Sequence, residues 1–170
     1  IHAKFDEASG RQSEDELDFL RSKGVNTIGT YGNHHSMLTH NYISHFVNSM
    51  LENKDIKPSL AYELSNHIEK DGMEFTLDWY KALNKESYSI IESELNALGY
   101  DLIADKKLNE ATEIFKINVN CFPNSWNTYD SLGEVYMTRG KNDLAIENYK
   151  KSLQINPTNV YGIEALKQLK

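Results

Sequence analysis

Between residues 92 and 159 the same arrangement of large, small and polar positions is written twice. Leu98-Gly99 returns as Leu132-Gly133, Ala111 as Ala145, Phe115 as Tyr149 and Pro123 as Pro157, each pair 34 positions apart. A period of that length predicts a helix-turn-helix repeat. The small residues at Gly99, Gly133, Ala111 and Ala145 let paired helices approach closely, and the large ones fill the space between pairs. The two prolines close the second helix of each copy. Upstream, Leu60, Leu64 and Ile68 recur at four-residue steps, Asp71-Gly72 interrupts them, and Phe75, Leu77, Trp79, Tyr80 and Leu83 form a second apolar stretch. Gly72 precedes Lys106 by 34 positions and Gly140 by 68, so 58–91 reads as a degenerate first copy. Its small and aromatic pair, Thr76 and Tyr80, is displaced by one position. Tyr161, Ile163, Leu166 and Leu169 in 160–170 predict a final helix that covers the apolar end of the stack.

The first third of the chain has another rhythm. Residues 1–5 alternate weakly as a short strand. Ser13 and Glu16 have the capping-box spacing ahead of a helix at about 14–23, which Gly24 stops. Val25-Asn26-Thr27-Ile28-Gly29-Thr30-Tyr31 reads as a second strand, and Leu38, Tyr42, Ile43, Phe46, Val47, Met50 and Leu51 fall on one face of a helix ending near Asn53. A βαβα unit needs a parallel sheet covered by helices, and two strands alone make a marginal sheet. Residues 1–53 thus read as the edge of a larger domain, with further chain expected before Ile1. The polar stretch 54–57, followed by Pro58, marks a linker. The predicted organisation is 1–53, a βαβα segment; 54–57, linker; 58–91, 92–125 and 126–159, three helix pairs; and 160–170, a capping helix. The fold class is mainly α, a helical repeat behind a small βαβα segment.

Composition narrows the chemistry. A net charge of -7 and a pI near 5.4 argue against a nucleic-acid binder, which needs clustered Lys and Arg. No apolar run is long enough to cross a bilayer, and no signal segment opens the chain. Cys121, the single cysteine, lies in an apolar phrase as a packing residue. No cofactor motif is present. His34, His35, His40 and His45 lack the i, i+4 spacing that sets two ligands on one helical face, so no metal site is expected.

The two clear copies resemble the tetratricopeptide repeat family through Leu95, Leu98, Gly99, Leu102, Ala111, Phe115 and Pro123, then Tyr129, Leu132, Gly133, Tyr136, Gly140, Ala145, Tyr149, Ser152 and Pro157. The resemblance implies a concave face made by the first helix of each copy and a protein or peptide partner. That face would carry Ser93, Asn96, Tyr100 and Ile103, then Asn127, Asp130, Glu134 and Met137. Family members that clamp a C-terminal carboxylate use Lys, Arg and Asn there. Here the basic residues are missing, and Asp130 and Glu134 would repel such a ligand. Packing on the preceding domain, or a homo-oligomer, is the other use open to the repeats.

Gly32-Asn33-His34-His35-Ser36-Met37-Leu38, after a predicted strand and before an amphipathic helix, resembles the histidine loop of an α/β-hydrolase of the esterase and thioesterase branches. The resemblance implies that His34 or His35 is the base of a triad and Asp6 its acid, the carboxylate orienting the imidazole as it takes a proton from a serine. No Gly-x-Ser-x-Gly elbow occurs in the chain, so the nucleophile would lie in an upstream hydrolase domain. The alternative is a stand-alone interaction scaffold with no enzymatic activity.

Overall fold

The computed structural model describes residues 57–169. The βαβα reading of 1–53, with Asp6, His34 and His35, lies outside them, as does the helix ending near Asn53. The described residues form helices joined by turns, with one isolated parallel bridge between Ser59 and Ser89. The chain divides into two compact units, Ile1–Glu94 and Leu95–Lys170.

In the first unit, α1 (Leu60–Asp71) and α2 (Met73–Ala82) form an antiparallel-type hairpin through Gly72, followed by a 3-10 turn, Lys85–Ser87. Ser59 caps α1 by accepting from the Tyr62 amide at 3.2 Å and donates its own hydroxyl to Glu94 Oε2 at 2.5 Å. Leu60, Leu64 and Ile68 are buried along one stripe of α1. The second helix departs from its apolar pattern. Its buried residues are Thr76 and Tyr80, the displaced small and aromatic pair, while Phe75 is 52% exposed. His67 stacks on Trp79 with ring centroids 4.4 Å apart and reaches Asp71 Oδ2 through Nδ1 at 2.9 Å.

The helix α3 (Glu92–Ala104) leads into the second unit, where α4 (Leu108–Cys121), α5 (Trp126–Thr138), α6 (Asn142–Ile155) and α7 (Val160–Gln168) follow. Contacts run between successive helices, α4 with α5, α5 with α6 and α6 with α7, as a linear stack requires. The core is Leu95, Leu98, Leu102, Ala111, Ile114, Phe115, Ile117, Leu132, Val135, Tyr136, Ala145 and Tyr149. Gly99 and Gly133 each bring the backbone close to an aromatic ring: a Cβ on Gly99 would lie 2.4 Å from Phe115 Cε1, and one on Gly133 3.1 Å from Tyr149 Cδ1.

Gly72, Lys106 and Gly140, 34 positions apart, all have positive φ, at 82°, 62° and 68°. The second and third end a helix in the same way. Lys106 N–H bonds Ile103 O and Lys107 N–H bonds Leu102 O; Gly140 N–H bonds Met137 O and Lys141 N–H bonds Tyr136 O. This pair of bonds needs a left-handed residue after the helix, which glycine adopts freely and lysine does not.

The last helix differs from expectation. The residues α7 buries are Gly162 and Ala165, whereas Val160, Tyr161 and Ile163 are exposed. Its first turn is occupied by glycine instead of a large side chain, so the apolar residues around it turn outward. In the 34-residue register Lys167 stands where Gly99 and Gly133 stand, and it pairs with Glu164 at 2.7 Å.

Candidate interaction face

Three of the eight residues expected on the inner face come together between α3 and α5. Tyr100 Oη lies 2.8 Å from Glu134 Oε2, its acceptor, and 3.2 Å from Ser131 Oγ. Its ring meets Phe115 edge-on at 5.3 Å. One turn before Glu134, Asp130 accepts from Asn159 Nδ2, which also donates to Ser152 Oγ at 3.0 Å. Asn96, Asn127 and Met137 are partly buried on the same two helices. Asn96 Oδ1 is shielded from solvent without a hydrogen-bond partner among the described residues.

The electrostatics follow from the helix surface. Residues 130 and 134 are neighbours at i, i+4, so two carboxylates of like charge share one patch. Burial pushes the Asp130 carboxyl above its ordinary 3.8; the bond from Asn159 opposes this and Glu134 adds to it. Burial likewise raises the Tyr100 phenol, with Ser131 opposing and Glu134 reinforcing. The Tyr149 phenol is raised by burial and then by Asp130, Glu134 and Tyr100.

This acidity is local. Residues 95–170 hold nine Lys and Arg against nine Asp and Glu, so the second unit is neutral as a whole. Yet within this unit α3 and α5 carry Asp101, Asp130 and Glu134 and no basic residue. The bases lie in the turns, on α4 and α6, and at Lys167 and Lys170. Arg139, after α5, is engaged away from the patch, donating to Thr112 Oγ1 at 2.8 Å and Asn109 Oδ1 at 2.6 Å.

Asn159, Ser131 and Gly162 were not singled out by the sequence. Their only signal is positional: Asn159 opens a helix as Ser125 does 34 positions earlier, a capping cue that says nothing about Asp130. Among the described residues no group of His, Cys, Asp and Glu is arranged to hold a metal ion, and no helix is long and apolar enough to cross a membrane. Asp6, His34 and His35 fall outside the described residues.

The family model of the tetratricopeptide repeat matches residues 131–159. Over these residues the helical repeat resembles a tetratricopeptide repeat. Those matched residues run from Ser131, through the close contact of Gly133 with Tyr149, to Asn159. Protein bimA of Emericella nidulans is 28% identical over 61 residues, a stretch covering 36% of this chain and 8% of that protein. The chain therefore spans a small part of that relative's length. Among solved structures, the first TPR of Spaghetti (RPAP3), bound to the HSP90 peptide SRMEEVD, is similar with a TM-score of 0.45 and 15% identity. That likeness covers 63% of this chain and 84% of the other. None of these matches supports an α/β-hydrolase for residues 1–53.

Proposed function

We propose that the tetratricopeptide unit is a protein-interaction module, and that the face carrying Asn96, Tyr100, Asn127, Asp130, Glu134 and Met137 takes a cationic segment of a partner protein. The observation that carries this is the segregation of charge: three carboxylates, Asp101, Asp130 and Glu134, and no base on the parts of α3 and α5 that belong to a unit of zero net charge. A half-buried carboxylate beside another costs stability. Asp130 and Glu134 bear that cost where an incoming Lys or Arg would relieve it. Tyr161, 80% exposed and in register with Asn127, extends the surface by an aromatic anchor of the sort that dominates interfaces. The interaction reading accounts for these residues without an enzymatic partner, so we favour it over the hydrolase one.

The test is fluorescence anisotropy with a labelled octa-arginine peptide and an octa-glutamate control. Asp130→Asn combined with Glu134→Gln weakens octa-arginine binding about tenfold, the scale of one charge-assisted hydrogen bond. The charge-matched pair Asp143→Asn and Glu147→Gln on α6 has little effect. Equal losses in both variants, or equal binding of the two peptides, would rule the reading out.

A further inference from the structure

Asn159, the residue that leads into α7, is 4% exposed and divides its side-chain amide between Asp130 Oδ1 on α5 and Ser152 Oγ on α6. The fit around it is close: a Cβ at Gly162 would stand 2.9 Å from Asn159 Nδ2 and 3.2 Å from Asp130 Oδ1. Beyond this polar node the first turn of α7 has little apolar burial to hold it. Its buried residues are Gly162 and Ala165, and Val160 and Tyr161 are 64% and 80% exposed. The start of the helix thus depends on a carboxylate that also belongs to the face of Tyr100 and Glu134.

We propose that α7 is a ligand-linked latch: Asn159 closes it by holding Asp130, and a cationic side chain engaging the same carboxylate loosens it. The inference rests on the reading that this face takes a cationic segment. A carboxylate whose charge is satisfied by an ammonium or guanidinium is a weaker acceptor for a neutral amide, so the two donors compete. Linkage makes the effect reciprocal: the factor by which a bound cation shifts α7 toward its open state is the factor by which opening α7 strengthens cation binding. The latch acts within the first turn of α7 and leaves the α5–α6 pair in place.

The experiment is amide hydrogen exchange on the full chain, wild type and Asn159→Ala, with and without octa-arginine, alongside anisotropy titrations. Without peptide, Asn159→Ala speeds exchange in α7 about tenfold while α5 and α6 are unchanged. Octa-arginine speeds α7 exchange in the wild type, and Asn159→Ala binds it several-fold more tightly. Unchanged α7 exchange in the peptide-free variant overturns the latch. Faster exchange with unaltered peptide affinity overturns the coupling while leaving the interaction face standing. Absence of octa-arginine binding to the wild type removes the face itself, and the latch reading with it. Should Asn159→Ala not fold, Asn159→Ser, which keeps a capping hydroxyl but lacks the amide shared between Asp130 and Ser152, carries the same tests with a smaller acceleration expected.

Discussion

Replacing Gly99 with alanine tests the packing of the second unit most directly. The added carbon would lie 2.4, 2.5 and 2.9 Å from three ring carbons of Phe115, where van der Waals contact requires at least 3.4 Å. Phe115 is fully buried and its ring is backed by Tyr100, so it cannot swing away freely. Overpacking of this kind costs about 1–3 kcal/mol, and three contacts under 3.0 Å put this one in the upper part of the range, about 2–3 kcal/mol. Alanine returns about 1 kcal/mol as the better helix former, which leaves roughly 1–2 kcal/mol of net destabilisation. For a unit of this size that lowers Tm by about 5–10 °C. Gly133→Ala is the internal control. Its Cβ would meet Tyr149 at 3.1–3.2 Å, a displacement of a few tenths of an ångström, and the helix-propensity gain offsets it. Thermal unfolding followed by far-UV circular dichroism separates the two. Adding Phe115→Leu to Gly99→Ala vacates the contested space and should restore at least 0.5 kcal/mol relative to the sum of the single changes. A Gly99→Ala protein as stable as the wild type, or two glycine variants that lose equally, would refute the reasoning.

Two further outcomes are expected. Lys106→Gly relieves a left-handed lysine at the end of α3 and should stabilise by about 0.5–1 kcal/mol in chemical denaturation, while Gly140→Ala should lose a similar amount; a destabilised Lys106→Gly would refute the cap argument. For Asp130 the native pKa lies above the unfolded one, so the native state holds the extra proton between the two values. Stability therefore falls as pH rises through that window, and the penalty is complete at neutral pH. Asp130→Asn should raise Tm at neutral pH, with about 0.2–0.5 kcal/mol coming from lost repulsion with Glu134. The gain should shrink on acidification toward 3.8, and one that grows would contradict it.

The repeat was legible because its spacing encodes distances between helices. Gly99 and Gly133 can be read as close approaches only against Phe115 and Tyr149 one helix later, and the 34-residue period supplies that pairing. Periodicity is blind to what lies opposite each residue. In α2 the apolar stretch does not say which of its residues face inward, and the helix buries Thr76 and Tyr80 and leaves Phe75 at the surface. Around α7, of the four residues expected to cover the end of the stack, Tyr161 and Ile163 are exposed and Leu166 and Leu169 half-buried, because a pattern of large residues gives no weight to Gly162 as a contact residue. On the candidate face, Asp130 and Glu134 were visible as a change of charge. Their link to α7 through Asn159 depends on a tertiary contact between residues 29 apart in sequence, which no local pattern predicts.

Lys167 bears on how such an array can change length. Where the first two clear copies have glycine, allowing an aromatic ring to rest directly on the backbone, α7 presents a lysine paired with Glu164. A second helix offered to α7 would meet that side chain at the point of closest approach. A duplicated 34-residue unit placed ahead of α7 keeps every glycine-to-ring contact and the same closing helix, whereas a unit attached behind α7 loses the contact on which each pair is built.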